Sequence, residues 1–171
     1  MKFVSIIIGS KSDYDVMSEC AKTFEKFGVK YELIVSSAHR SVERTKKYVK
    51  DAEGRGAVIF IAAAGMAAHL AGAIAAITVR PVIGVPMAGS ALNGMDSLLS
   101  TVQMPAGMPV ATVAIGKAGA INSAYLAMQI LASVDEALFV KLTEDKAKKA
   151  KQVEADSKEI EVLLENPQKE S

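Results

Sequence analysis

Ala57 to Val79, AVIFIAAAGMAAHLAGAIAAITV, runs for 23 residues without a charge. On length alone such a segment is able to cross a bilayer as a helix. Its internal order argues against that. The β-branched Val58, Ile59 and Ile61 come first, alanine and glycine follow, His69 sits in the middle, and Arg80-Pro81 closes the run. A short apolar run followed by a small-residue turn and helix is the pattern of a strand buried on both faces that feeds a crossover helix. The segment is therefore read as strand, turn and helix of an α/β domain, with no membrane span.

The same unit recurs on either side of it. Phe3 to Gly9 is an apolar run without alternation, as expected of a covered parallel strand. Ser12-Asp13-Tyr14-Asp15 offers an N-cap with an acid three residues on, and Val16, Cys20, Phe24 and Phe27 follow at helical spacing until Gly28. Tyr31 to Val35 reads as a second strand, and Ser41 as the cap of a helix reaching about Arg55. After the third unit, with its helix near Ala67 to Thr78, come a strand over Val82 to Val85 and a helix around Asn93 to Val102. A fifth strand over Val110 to Ile115 precedes a helix from Gly119 to Ser133. Strict alternation of β and α predicts a doubly wound parallel sheet in three α/β/α layers. From Asp135 the pattern becomes a long charged helix that Asn166-Pro167 should end. The expected organisation is a domain over 1–134 and a C-terminal helix and tail over 135–171, the helix either packing on a neighbouring copy or standing as a solvated arm.

Charge is distributed unevenly along the chain. Between Ala57 and Val134 only Arg80, Asp96 and Lys117 are charged. A monomer's outer helices normally carry a polar stripe, so much of this stretch should be buried against other subunits. A net charge of +1 leaves no basic surplus for a phosphate backbone or an anionic membrane, and 5% aromatic content without Trp leaves few stacking platforms, so nucleic acid is not an expected partner. The single Cys20 excludes an internal disulfide, and the N-terminal apolar run is shorter than a signal-peptide core; a reducing cytoplasm is the expected location.

In open parallel sheets, ligands bind outside the C-terminal strand ends where strand order reverses. With the common order 2-1-3-4-5, the turns after strands one, two and three share one crevice. The first, Gly9-Ser10-Lys11-Ser12-Asp13, brings a glycine, two hydroxyls and a helix start suited to phosphate, though it matches neither G-x-G-x-x-G nor the P-loop. Helix capping by Ser12 accounts for part of that pattern, and Asp13 is placed to accept from sugar hydroxyls instead. The second, Ser36-Ser37-Ala38-His39-Arg40, sets an imidazole beside a guanidinium, which favours the neutral ring able to take or give a proton. The bland alternative is a surface loop residue. The third, Ala64 to Gly72, holds the chain's other histidine, His69. A lone histidine among small apolar residues is more often structural than catalytic, but two histidines in turns that share one crevice point to a shared site. No Cys, Asp or Glu stands at metal-ligand spacing from either, so no metal is expected. Cys20 and the methionines read as packing.

Gly9-Ser10-Lys11-Ser12-Asp13, Ser37-Ala38-His39-Arg40, Ala67-Ala68-His69-Leu70, Asn93 to Ser100 and Val102-Gln103-Met104-Pro105, in this order, resemble the 5-(carboxyamino)imidazole ribonucleotide mutase family of purine biosynthesis. The likeness runs from about Val4 to Leu131. It implies a single flavodoxin-like domain, a homo-octamer with sites at subunit junctions, and an isomerase needing no metal, biotin or nucleotide cofactor. It further implies that the carboxyl group on the exocyclic nitrogen of the imidazole ribonucleotide moves to carbon 4. Ser10, Ser12 and Arg40 would hold the phosphate, Asp13 the ribose hydroxyls, and His39 would exchange the proton. The turn from Ala64 to Leu70, including Gly65, would confine carbon dioxide together with Ser37 and His69.

The commoner family pattern at the third turn is G-A-G-G-A-A-H-L-P-G. Here Ala63 and Met66 stand in place of glycines and Ala71 in place of the proline. A related branch carboxylates aminoimidazole ribonucleotide with free carbon dioxide, but its second turn ends in Lys and its third lacks A-A-H-L, so Arg40 and Ala67 to Leu70 favour the mutase. A catalytically silent nucleotide-phosphate binding module on the same fold is the alternative of another class.

Overall fold

The computed structural model describes residues 1–164 of the 171. Five parallel strands, β1 (Phe3–Ile8), β2 (Tyr31–Val35), β3 (Ala57–Ala64), β4 (Val82–Pro86) and β5 (Ala111–Thr112), form one sheet in the order β2-β1-β3-β4-β5. The connecting helices are α1 (Tyr14–Phe27), α2 (Val42–Arg55), α3 (Leu70–Ala75) and α4 (Met95–Val102), with α5 (Gly116–Ala132) after the last strand and α6 (Glu136–Ile160) beyond it. This is the doubly wound architecture that the alternating pattern predicts.

Successive strand residues face opposite layers, and the sequence fills both. Ile7, Phe60 and Ala62 pack with Val49 and Ala52 of α2 and with Leu70, Ala71 and Ile74 of α3. On the other face α1 meets α5, where Phe27 and Tyr125 stack edge to face at 5.7 Å and the Ser123 hydroxyl donates to Cys20 Sγ at 3.5 Å. Each large core side chain removed from water contributes about 1.5–3 kcal/mol. Because β1 lies between two strands and two helical layers, Val4 to Ile8 are all buried, and Ser5 among them bonds the Tyr48 hydroxyl at 2.9 Å.

Several local readings shift. Ser12 does not cap the first helix: α1 starts from Asp13 without a side-chain cap bond, and ahead of it Lys11–Asp13 forms a 3₁₀ turn whose cap, Ser10, accepts from the Ser12 N–H through its Oγ. The buried stripe of α1 begins at Met17, with Val16 half-buried. Gly28 at φ 73 ends that helix in a left-handed cap that an L side chain rarely adopts. Helix α3 starts at Leu70, three residues after the expected Ala67, because the third turn stays irregular through His69. Strand β5 is only two residues long, which keeps the exposed sheet edge short.

Contacts divide the chain into two compact units, Met1–Leu131 and a second that begins at Ala132. The second unit is built on α6, whose N-cap Asp135 accepts from the Leu138 N–H and in which Lys149 pairs with the buried Asp145 at 2.8 Å. The helix ends at Ile160, and the expected terminator Asn166-Pro167 lies outside the described residues. Among the described residues no helix is long and apolar enough to cross a membrane.

Candidate active site

The register of β1 aligns Ile8 with Val35 on one side and with Ala63 on the other, so the chain leaves three neighbouring strands at nearly the same level. The turns that follow enclose a cavity of about 570 Å³. Ser10, Ser12 and Asp13 line it from the first turn, Ser37, His39 and Arg40 from the second, and Gly65, His69 and Leu70 from the third. All nine site residues expected from sequence therefore meet at one place.

Extended backbone at Ser10 turns its hydroxyl back over the 3₁₀ turn, where it accepts from the Ser12 hydroxyl at 2.9 Å. Asp13 follows, half-buried, its N–H donating to the Ser10 carbonyl at 3.1 Å. Burial raises its carboxyl above the ordinary range, opposed by hydrogen bonds from the Ser10 backbone and the Ser12 side chain.

The second turn is closed on itself. Ser41 Oγ accepts from the Ser37 N–H at 2.9 Å and donates to the Ser37 carbonyl at 3.0 Å, and the Arg40 N–H donates to Ser37 Oγ at 3.2 Å. Beneath it the buried hydroxyls of Ser36 and Thr45 meet at 2.8 Å. These bonds hold Ala38 to Arg40 as a rigid projection without a helix or strand of their own. Arg40 then reaches across: its Nη2 donates to the Gly9 carbonyl at 3.2 Å, tying the second turn to the first. A guanidinium has five donors, so one such bond leaves capacity for an anionic ligand.

The third turn brings His69 to the start of α3, its ring centroid 5.5 Å from that of His39. Leu70 touches the cavity, but at 2% exposure it also belongs to the core. Met66, in a place where the commoner pattern has glycine, adopts φ 55, the left-handed conformation that glycine reaches without strain. Gly89, after β4, also lines the cavity and escaped the sequence reading; the place of β4 beside β3 was its only signal. Cys20 is remote from these turns and buried, and burial pushes its thiol up to about 12, against the bond from Ser123. Among the described residues no group of three His, Cys, Asp or Glu side chains is placed to hold a metal ion.

The profile of the AIR carboxylase family matches residues 3–152. A Pyrococcus horikoshii protein named N5-carboxyaminoimidazole ribonucleotide mutase is 59% identical over 128 residues, which cover 75% of this chain and 71% of that one. A Bacillus subtilis protein of the same name is 53% identical over 141 residues, 82% of this chain and 87% of its own. Among solved structures, the crystal structure of Treponema denticola PurE superposes with a TM-score of 0.86 at 24% identity, covering 95% of this chain and 100% of that one, a likeness of fold.

Proposed function

The chain belongs to the AIR carboxylase family, and on that premise we propose that it is a mutase of purine (IMP) biosynthesis. It moves the carboxyl group of N5-carboxyaminoimidazole ribonucleotide from the exocyclic nitrogen to carbon 4, giving 4-carboxy-5-aminoimidazole ribonucleotide. Relatives at 51–59% identity carry the mutase name. The observation that carries the reading is the meeting of His39, Arg40, His69 and the two serines of the first turn in one cavity.

The roles follow from the chemistry available there. Ser10 and Ser12 offer hydroxyls and Arg40 a fixed charge for the phosphate, and Asp13 accepts from the ribose hydroxyls. The carbamate C–N bond breaks, leaving its electron pair on nitrogen, and the carbon dioxide released is attacked by carbon 4. Carbon 4 must then lose its proton while the exocyclic nitrogen gains one, so the isomerisation neither consumes nor releases protons overall. An imidazole that both accepts and donates suits that exchange, and His39 is assigned to it. Ser37, Gly65, His69 and Leu70 form the chamber that keeps carbon dioxide beside carbon 4. The working form is a homo-oligomer, an octamer on the family pattern, located in the cytoplasm.

The test is conversion of the carboxyamino nucleotide by purified protein without ATP, metal or bicarbonate. Label on the carbamate should stay largely in the product when unlabelled bicarbonate is in excess. A requirement for bicarbonate with aminoimidazole ribonucleotide as substrate would establish the carboxylase instead. Binding of the nucleotide without conversion would establish a silent binding module.

A further inference from the structure

Met66 combines three properties that are hard to reconcile with a purely structural role. Its backbone lies at φ 55, in the region where the Cβ of an L residue crowds the following carbonyl and where glycine is the usual occupant. Within a single chain it is 64% exposed, so packing inside its own chain does not offset that strain. Yet it lines the same cavity as His39 and His69, between neighbours no larger than alanine: Gly65 before it, Ala67 and Ala68 after it. The turn is fixed there by the Ala68 N–H donating to the Met66 carbonyl at 2.9 Å. A residue held in a sparsely populated conformation without a packing return from its own chain points to a demand of the site it faces.

A side chain that is both exposed and cavity-lining stands at the rim, and methionine is unbranched, apolar and able to adapt its shape to what lies beneath it. The species most easily lost from this cavity is carbon dioxide, small, uncharged and soluble in water. We propose that Met66 is a specificity-determining residue that covers the cavity mouth and retains the released carbon dioxide until carbon 4 captures it. Its left-handed backbone is what brings a long apolar side chain to a turn otherwise built of small residues. This role rests on the mutase reading, since a carboxylase needs carbon dioxide to enter from outside.

The experiment measures, for the full chain, the fraction of carbamate label retained in product under excess unlabelled bicarbonate, together with kcat and nucleotide affinity. Met66→Ala removes the cover but keeps the left-handed strain, Met66→Gly removes both, and Met66→Leu keeps an apolar cover. Alanine and glycine variants should lose label several-fold faster per turnover than wild type with nucleotide affinity unchanged, and leucine should restore retention. A thermal melt of each variant confirms that the fold persists, as the exposure of the side chain leads one to expect. Wild type that converts the nucleotide with retention while the alanine and glycine variants retain label equally well overturns the role of Met66 alone, as does failure of leucine to rescue. Wild type that does not convert the nucleotide overturns the mutase reading and this role with it.

Discussion

The rings of His39 and His69 stand 5.5 Å apart at an interplanar angle of 34°, although each comes from a turn after a different strand. On the proposed mechanism two imidazoles so close in one cavity act on one chemical event, and groups that act on one event do not contribute additively. His39→Asn should lower kcat by about 10²–10⁴-fold, the range of general acid–base catalysis, with nucleotide affinity nearly intact. His69→Asn should cost less, and the double variant little more than His39→Asn. Steady-state kinetics of the three proteins provides the check; losses that multiply would separate the two residues.

Asp13 links the site to stability. Because burial raises its carboxyl above the ordinary value, the folded protein binds a proton there more tightly than the unfolded chain. The stability this group contributes is full below the unfolded value and is lost as pH rises through the folded one, so at neutral pH the ionised carboxylate opposes folding. Asp13→Asn should accordingly raise the thermal midpoint near neutral pH, leave it little changed in acid below the carboxylate range, and raise KM if Asp13 accepts from the ribose hydroxyls as proposed. A lower midpoint at neutral pH would show that the hydrogen bonds from Ser10 and Ser12 outweigh burial.

Legibility in the sequence tracked the range of the interaction that decides each feature. Alternation predicts the parallel sheet, and the common order 2-1-3-4-5 with the rule that ligands sit at strand C-termini predicts the meeting of three turns, where the nine expected residues come together. What escaped depends on particular backbone angles or on contacts between elements. That Ser10 rather than Ser12 caps the first turn is decided by backbone angles at one residue. Gly89 joins the cavity only because β4 pairs with β3, and the Ser36–Thr45 bond that supports the His39 turn joins residues on different elements. Single-residue patterns carry none of these.

Gly119 in α5 and Gly54 in α2 should respond oppositely to the same substitution. A Cβ on Gly119 would sit 1.7 Å from the Ala114 carbonyl oxygen and 2.7 Å from its carbon, and backbone cannot swing aside as a side chain can. Gly119→Ala should destabilise by about 3 kcal/mol, the upper part of the usual overpacking range. A Cβ on Gly54 meets nothing within 4 Å in a helical position, so Gly54→Ala should stabilise by up to about 1 kcal/mol. Urea denaturation of both variants decides; equal effects would mean that the α5 start yields more readily than its packing implies.

The near absence of charge from Ala57 to Val134 predicts a surface covered by a partner. On α4, Met95, Leu99 and Val102 are 53%, 52% and 46% exposed, and Leu92 just before the helix is 63% exposed, while Ser97 and Thr101 turn inward. Met95, Leu99 and Val102 recur at four- and three-residue steps along α4, so they form one stripe, the opposite of the polar face a solvated helix presents. The expected occupant is another copy of this chain, and Leu99→Glu, which sets a charge in the middle of the stripe, should lower the assembled mass without loss of helical signal. Sedimentation equilibrium at micromolar concentration measures it. Wild type found only at 18.0 kDa would contradict assembly altogether; a stable tetramer would keep association and remove the octamer. An unchanged mass for Leu99→Glu would place the contact on a different face.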